Sequence, residues 1–163
     1  MNQEDIQKVT DRLRRLCSRR EYCVSDVMKK ALTALEGDSE AAGKVVAILI
    51  AEKYVDDLRY ATAYAREKAM ISGWGETKIK YMLSDKGIAR DVIDASLSEV
   101  DDTKAAVRLE RLLANKYKTL KSDPQWKMKI LRFALGRGYS YDEVNEALIN
   151  VNKSESIGDY EEI

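Results

Sequence analysis

The side chains in this sequence that could do chemistry are two aspartate pairs, two cysteines and a recurrent set of arginines and lysines. Asp56-Asp57 and Asp101-Asp102 have the residue type of a metal site or an acid–base dyad. Each pair stands where an apolar helical pattern begins, and adjacent acids point in different directions on a helix. Helix capping is therefore the expected role. The 163 residues include no histidine, which removes the commonest general base and the commonest metal ligand. No P-loop glycine pattern occurs, and Gly73-Trp74-Gly75 reads as a turn between helices. Cys17 and Cys23 read as reduced, half-buried thiols of a cytoplasmic protein. The chain is not expected to be an enzyme or to hold a cofactor or metal.

The basic residues are the stronger lead. Arg12, Arg15 and Arg19 follow steps of three and four, as do Lys104, Arg108 and Arg111, so each set can line one helix face. A solvated face is the simplest meaning of any one stripe. Recurrence adds to it: Arg59 corresponds to Lys104, Arg66 to Arg111 and Lys86 to Arg137. Lysine and arginine total 28 and so do aspartate and glutamate, for a net charge of zero. The charge is nonetheless polarised. Residues 12–30 carry seven bases against Glu21 and Asp26, and residues 104–137 carry ten against Glu110 and Asp123. Residues 138–163 carry Lys153 against seven acids. A basic track repeated along a helical array suits an anionic or helical polymer.

These residues must be positioned by helices. One proline and eight glycines are too few for an all-β fold. Val55-Asp56-Asp57-Leu58-Arg59-Tyr60-Ala61 returns as Val100-Asp101-Asp102-Thr103-Lys104-Ala105-Ala106, and Val9-Thr10-Asp11 is a fainter copy. A period of about 45 residues marks a supersecondary unit stacked on itself, since one unit cannot bury its own apolar face. Each unit reads as three short helices. In the first, Ile6, Val9, Leu13 and Leu16 share a face, Ser25 caps a second helix, and Val45, Val46, Leu49 and Ile50 of a third point inward. In the second, Asp56 or Asp57 caps a helix whose Ala61, Ala65 and Ala69 admit a close neighbour. Gly73-Trp74-Gly75 ends that helix, and Lys86-Gly87 ends the next. Ile79, Gly87, Asp91, Leu97 and Val100 match Ile130, Gly138, Asp142, Leu148 and Val151 of the third, all 51 apart. That offset implies an insertion within 117–123, with Pro124 in the first turn of the helix that follows. Trp74 and Trp126 are read as packing residues, with an exposed binding anchor as the alternative. Tyr60, Tyr64, Tyr81, Tyr139 and Tyr141 are read as packing residues with surface hydroxyls. The expected organisation is 1–54, 55–99 and 100–151 as three units, with 152–163 an acidic flexible tail. No apolar run approaches the ~20 residues of a membrane span, and no leader is visible.

The sequence resembles the RecX regulatory family, which modulates the RecA recombinase. Ser18-Arg19-Arg20-Glu21-Tyr22 with Ser25-Asp26-Val27 looks like that family's opening. Lys53 through Ala61, holding Asp56, Asp57, Arg59, Tyr60 and Ala61, looks like its best signature. Gly73 and Gly75 followed by Lys86-Gly87-Ile88, and then 129–141 with Arg137-Gly138, look like its later segments. The resemblance covers about residues 8–151. It implies an all-α, elongated array of three tandem three-helix, helix-turn-helix-like repeats. It also implies a non-enzymatic, cytoplasmic protein that lies in the groove of the RecA filament, against RecA and the single- or double-stranded DNA within it; the chain is expected to be a monomer. Such a protein would inhibit ATP hydrolysis, strand exchange and coprotease activity in recombination, DNA repair and the SOS response. The expected contacts are Arg12, Arg15, Arg19, Arg59, Arg66, Lys104, Arg108 and Arg111. The competing readings are a DNA-binding module acting without RecA and a helical scaffold for another protein.

Overall fold

The computed structural model describes residues 2–155. All regular structure among them is helical: α1 (Gln3–Cys17), α2 (Val24–Ala34), α3 (Ser39–Ala51), α4 (Asp57–Met70), α5 (Glu76–Asp85), α6 (Arg90–Ser98), α7 (Asp102–Leu120), α8 (Trp126–Gly136) and α9 (Tyr141–Glu155). The fold is all-α and built from three-helix repeats. The acids at the helix starts act as caps. Asp56 accepts the Arg59 amide at 3.0 Å and Asp101 accepts the Lys104 amide at 3.0 Å. Asp57, beside the first, instead accepts the Val24 amide at 2.8 Å. The middle helices end alike, at Gly37, Gly87 and Gly138, each with positive φ.

The chain forms two compact units. The first comprises residues up to Tyr64 together with Leu83–Ser96, and the second Ala65–Met82 with the chain from Leu97 onward. In the first, α1 and α2 both pack on α3. Ile6, Val9, Leu13, Val27, Ala31, Leu35, Val45, Leu49 and Val55 form its core, and full burial of each large side chain contributes about 1.5–3 kcal/mol. In the second, α7 packs on α8 and α9. Leu109, Leu113, Ile130, Ala134, Val144 and Leu148 fill that core.

Several local expectations change. Ile50 is exposed, because α3 buries Val45, Val46 and Leu49 on a narrower face. Cys23 rather than Ser25 stands at the start of α2, and the Ser25 hydroxyl donates to the Lys86 carbonyl. The inserted residues before Pro124 lengthen a helix: α7 has 19 residues against 14 in α4. Pro124 lies in the turn before α8. Tyr81 is 70% exposed and Tyr141 is exposed, whereas Tyr60 and Tyr139 are buried. α9 continues to Glu155, past the expected start of the tail at Asn152; the remainder of that tail lies outside the described residues.

Candidate partner-binding surface

The basic side chains separate into those engaged within the fold and those facing solvent. In the first unit, Arg14 forms a bidentate pair with Glu52 (2.7 and 2.8 Å) and also reaches Asp11. Arg59 pairs with Glu21 and donates to the carbonyls of Lys53 and Tyr54 at 3.0 and 3.2 Å. Those carbonyls belong to the turn that follows α3, so Arg59 fastens the start of α4 to it; 45% of its side chain stays exposed. Lys86 donates to Asp26 at 3.0 Å.

Arg12 and Arg15 lie exposed on α1, and exposed Arg19 lies beyond its end at Cys17. Arg12 lines an open groove of about 510 Å³ with Leu13, Leu16, Lys29 and Lys30. Lys29 and Lys30 of α2 thus join Arg12 of the expected stripe in a basic groove. Lys29 and Lys30 come from the neighbouring helix, and no spacing within α1 could have pointed to them. Tyr22 carries Arg20 at 4.4 Å and Lys30 at 5.4 Å from its ring centre, within cation–π range.

In the second unit Arg66, Lys104 and Arg111 are exposed and Arg108 is half-buried. Arg108 reaches the Ile71 carbonyl at 3.4 Å. Arg137, the counterpart of Lys86, donates to the Ser72 carbonyl at 2.9 Å. Both tryptophans are half-buried. Trp126 meets Tyr117 edge-on at 5.0 Å and packs against the core. Trp74 lies under Lys68 and Lys78, 4.9 and 4.3 Å from its ring centre.

The joints that hold these surfaces follow one plan. The Gly75 amide donates to the Arg137 carbonyl at 2.7 Å, and the Thr77 amide to the Gly138 carbonyl at 3.2 Å. The free amides of the α5 start thus meet the free carbonyls of the α8 end, which satisfies both sets and aligns their partial charges. A Cβ on Gly75 would stand 2.3 Å from the Gly138 oxygen, so this approach requires glycine. In the first unit, Ser25 on Lys86 and Lys86 on Asp26 join the α2 start to the α5 end by side chains.

No group of histidine, cysteine and acidic side chains able to hold a metal occurs among the described residues. Burial raises the Cys17 and Cys23 thiols above their usual range, which disfavours the reactive thiolate. No helix among the described residues is long and apolar enough to cross a membrane.

Residues 56–97 match the family model for the RecX second three-helix domain, and residues 106–148 match that for the third. The regulatory protein RecX of Vibrio campbellii is 33% identical over 136 residues, which is 82% of this chain and 84% of the relative. That of Clostridium tetani is 32% identical over 115 residues, 68% of this chain and 52% of the relative. The chain thus spans about half the length of the clostridial relatives it matches. The crystal structure of RecX from Lactobacillus salivarius superposes with a TM-score of 0.82 at 23% identity, covering 92% of this chain and 98% of that one. A second crystal structure of a regulatory protein RecX gives 0.77 at 22%, covering 87% and 72%. At these identities the likeness concerns the fold.

Proposed function

The chain belongs to the RecX family of regulatory proteins, and from that premise we propose that it binds the RecA–DNA filament and inhibits its ATPase, strand-exchange and coprotease activities. The observation that carries this reading is the division of the basic residues. Arg14, Arg59, Lys86 and Arg137 are engaged in the fold. Arg12, Arg15, Arg66, Lys104 and Arg111 face solvent. Exposed cations on both units suit acidic RecA surface, bound DNA, or both. Arg19 and Arg108 extend the two surfaces, and Arg59 adds the exposed part of its side chain.

The test is RecA ATP hydrolysis on single-stranded DNA with the protein added below the RecA concentration. Turnover falls and filaments shorten; unchanged turnover and filament length would overturn the proposal.

A second reading, DNA binding without RecA, is favoured by one feature. Trp74 with Lys68 and Lys78 on its ring combines an aromatic face with cations, the pairing that single strands use. A salt titration without RecA separates the two readings. Direct binding weakens by about 0.7 log units per log unit of salt for each phosphate neutralised on a single strand. Affinity weaker than ~10⁻⁴ M at physiological salt, the lower end of nonspecific binding, removes the second reading.

A further inference from the structure

The second unit holds a cleft of about 210 Å³ between α7 and α9. The two helices run side by side in one direction. Asp102 and Glu143, near their starts, border the cleft together, and further along the Asn150 amide donates to Glu110 at 2.8 Å. Small residues make the room: Ala106 stands one turn after Asp102 and Ala147 one turn after Glu143, and both line the cleft. The charged lining is wholly acidic, with Asp102 and Glu110 from α7 and Glu143 and Glu146 from α9. No lysine or arginine among the described residues borders it. The two helix starts return only about half a positive charge each.

Tyr139, in the turn before α9, is 6% exposed and borders both this cleft and a smaller cavity beside it. Its hydroxyl has no hydrogen-bond partner among the described residues. Burial raises that hydroxyl above the usual phenol range, and Glu143 adds to the rise. The group therefore stays protonated at neutral pH and stands on the acidic side of the cleft. Arg108 and Arg137 oppose the rise, but their guanidiniums reach the Ile71 and Ser72 carbonyls and neither lines the cleft. A buried hydroxyl left without a partner is costly, and a ligand that donates to it removes the cost.

We propose that this cleft binds a linear aliphatic diamine as its dication. One ammonium lies among Asp102, Glu143 and the Tyr139 hydroxyl, and the other beside Glu146 and Glu110. Ionised carboxylates only accept hydrogen bonds, so the ligand must donate. The acceptors at the first position come from α7, α9 and the turn between α8 and α9. The three rotatable N–H groups of an ammonium meet acceptors from several sides, whereas the flat fork of a guanidinium suits a single carboxylate. The carboxylates are too dispersed to share one metal ion. From Glu143 to Glu146 the helix rises about 4.5 Å, and from Asp102 to Glu110 about 12 Å. Ala106 and Ala147 fall between the two acidic levels. Acid, alanine and acid in that order match charge, methylenes and charge. At the ~30 Å³ that a water takes in the liquid, the cleft holds about seven waters, and pentane-1,5-diamine has about that many non-hydrogen atoms. For so small a ligand on exposed carboxylates, affinity is expected in the millimolar range.

Titration of the ¹⁵N-labelled full chain with pentane-1,5-diamine, followed by amide chemical shifts, tests the site without RecA. Expected are saturable one-to-one shifts at Ala106 and Ala147, with pentylamine, which carries one ammonium, binding at least about fivefold more weakly. Tyr139→Phe keeps the ring and loses no hydrogen bond, and Glu146 is exposed. Tyr139→Phe and Glu146→Gln are each expected to weaken diamine binding about three- to tenfold while the melting temperature holds. Pentylamine binding as tightly as the diamine would overturn the proposal. So would the same shifts from magnesium chloride at equal concentration, shifts scattered over acids outside the cleft, or parental affinity in both variants. The outcome is independent of the function proposed above, because no step of the test involves RecA.

Discussion

At the scale of single residues, the repeated signature is chiefly structural. Asp26 shows how. Burial pushes its carboxyl upward, but hydrogen bonds from the Lys86 ammonium and from Cys23 outweigh that and hold it below the usual carboxylate range. A carboxyl with a lowered folded-state pKa adds stability above its unfolded pKa, and the contribution is lost as pH falls through the folded value. Asp26→Asn is therefore expected to cost about 1–2 kcal/mol near neutral pH, with Lys86 partly exposed to solvent. The difference from the parent should shrink as pH falls through the lowered folded-state value, where the parent's own Asp26 takes up a proton. Urea unfolding across a pH series checks this; a penalty that persists at low pH would contradict the assignment. The Asp56-Asp57 pair makes a related point. Its capping role was legible in the sequence, but Asp57 holds the Val24 amide, 33 residues away. No local pattern announces such a bond.

At the scale of elements, the decisive contact is backbone against backbone. The start of α5 rests on the end of α8 through Gly75 and Gly138, and neither backbone can yield to an added methyl group. Gly75→Ala is expected to lose roughly 2–4 kcal/mol. Gly43, inside α3, has open space where a Cβ would stand, so Gly43→Ala should gain about 0.5–1 kcal/mol from helix propensity alone. Denaturant unfolding of the two variants gives opposite shifts in midpoint; equal shifts would mean that the joint is not as drawn. Helix positions, the aspartate caps and the repeat were readable from apolar spacing and from the returning Val-Asp-Asp, whereas the start of α2 fell at Cys23 and not at Ser25. The ends were less so. Where Pro124 and the extra residues of the third repeat went depended on whether α7 gained turns or a loop, and its packing on α8 and α9 decided for turns.

At the scale of the whole molecule, exposed cations stand on both units, Arg12 on one and Lys104 on the other. If each unit makes its own contacts with the filament, Arg12→Glu and Lys104→Glu should each raise the half-inhibitory concentration about three- to tenfold. The double variant should show the product of the two effects, since distant sites add in free energy. RecA ATPase titrations check it, with thermal melting to confirm that all three variants keep the parent's stability. A change confined to one variant would place the contact on one unit. The sequence by itself determined the all-helical class, the repeat, the aspartate caps and the family resemblance, because apolar periodicity and turn chemistry act over a few neighbouring residues. Only the tertiary structure decided which basic residues are engaged. Arg14 finds Glu52, Arg59 finds Glu21 and Lys86 finds Asp26 across separations of 38, 38 and 60 residues. An ion pair depends on where two side chains meet in space, and a one-dimensional pattern of charges does not carry that distance.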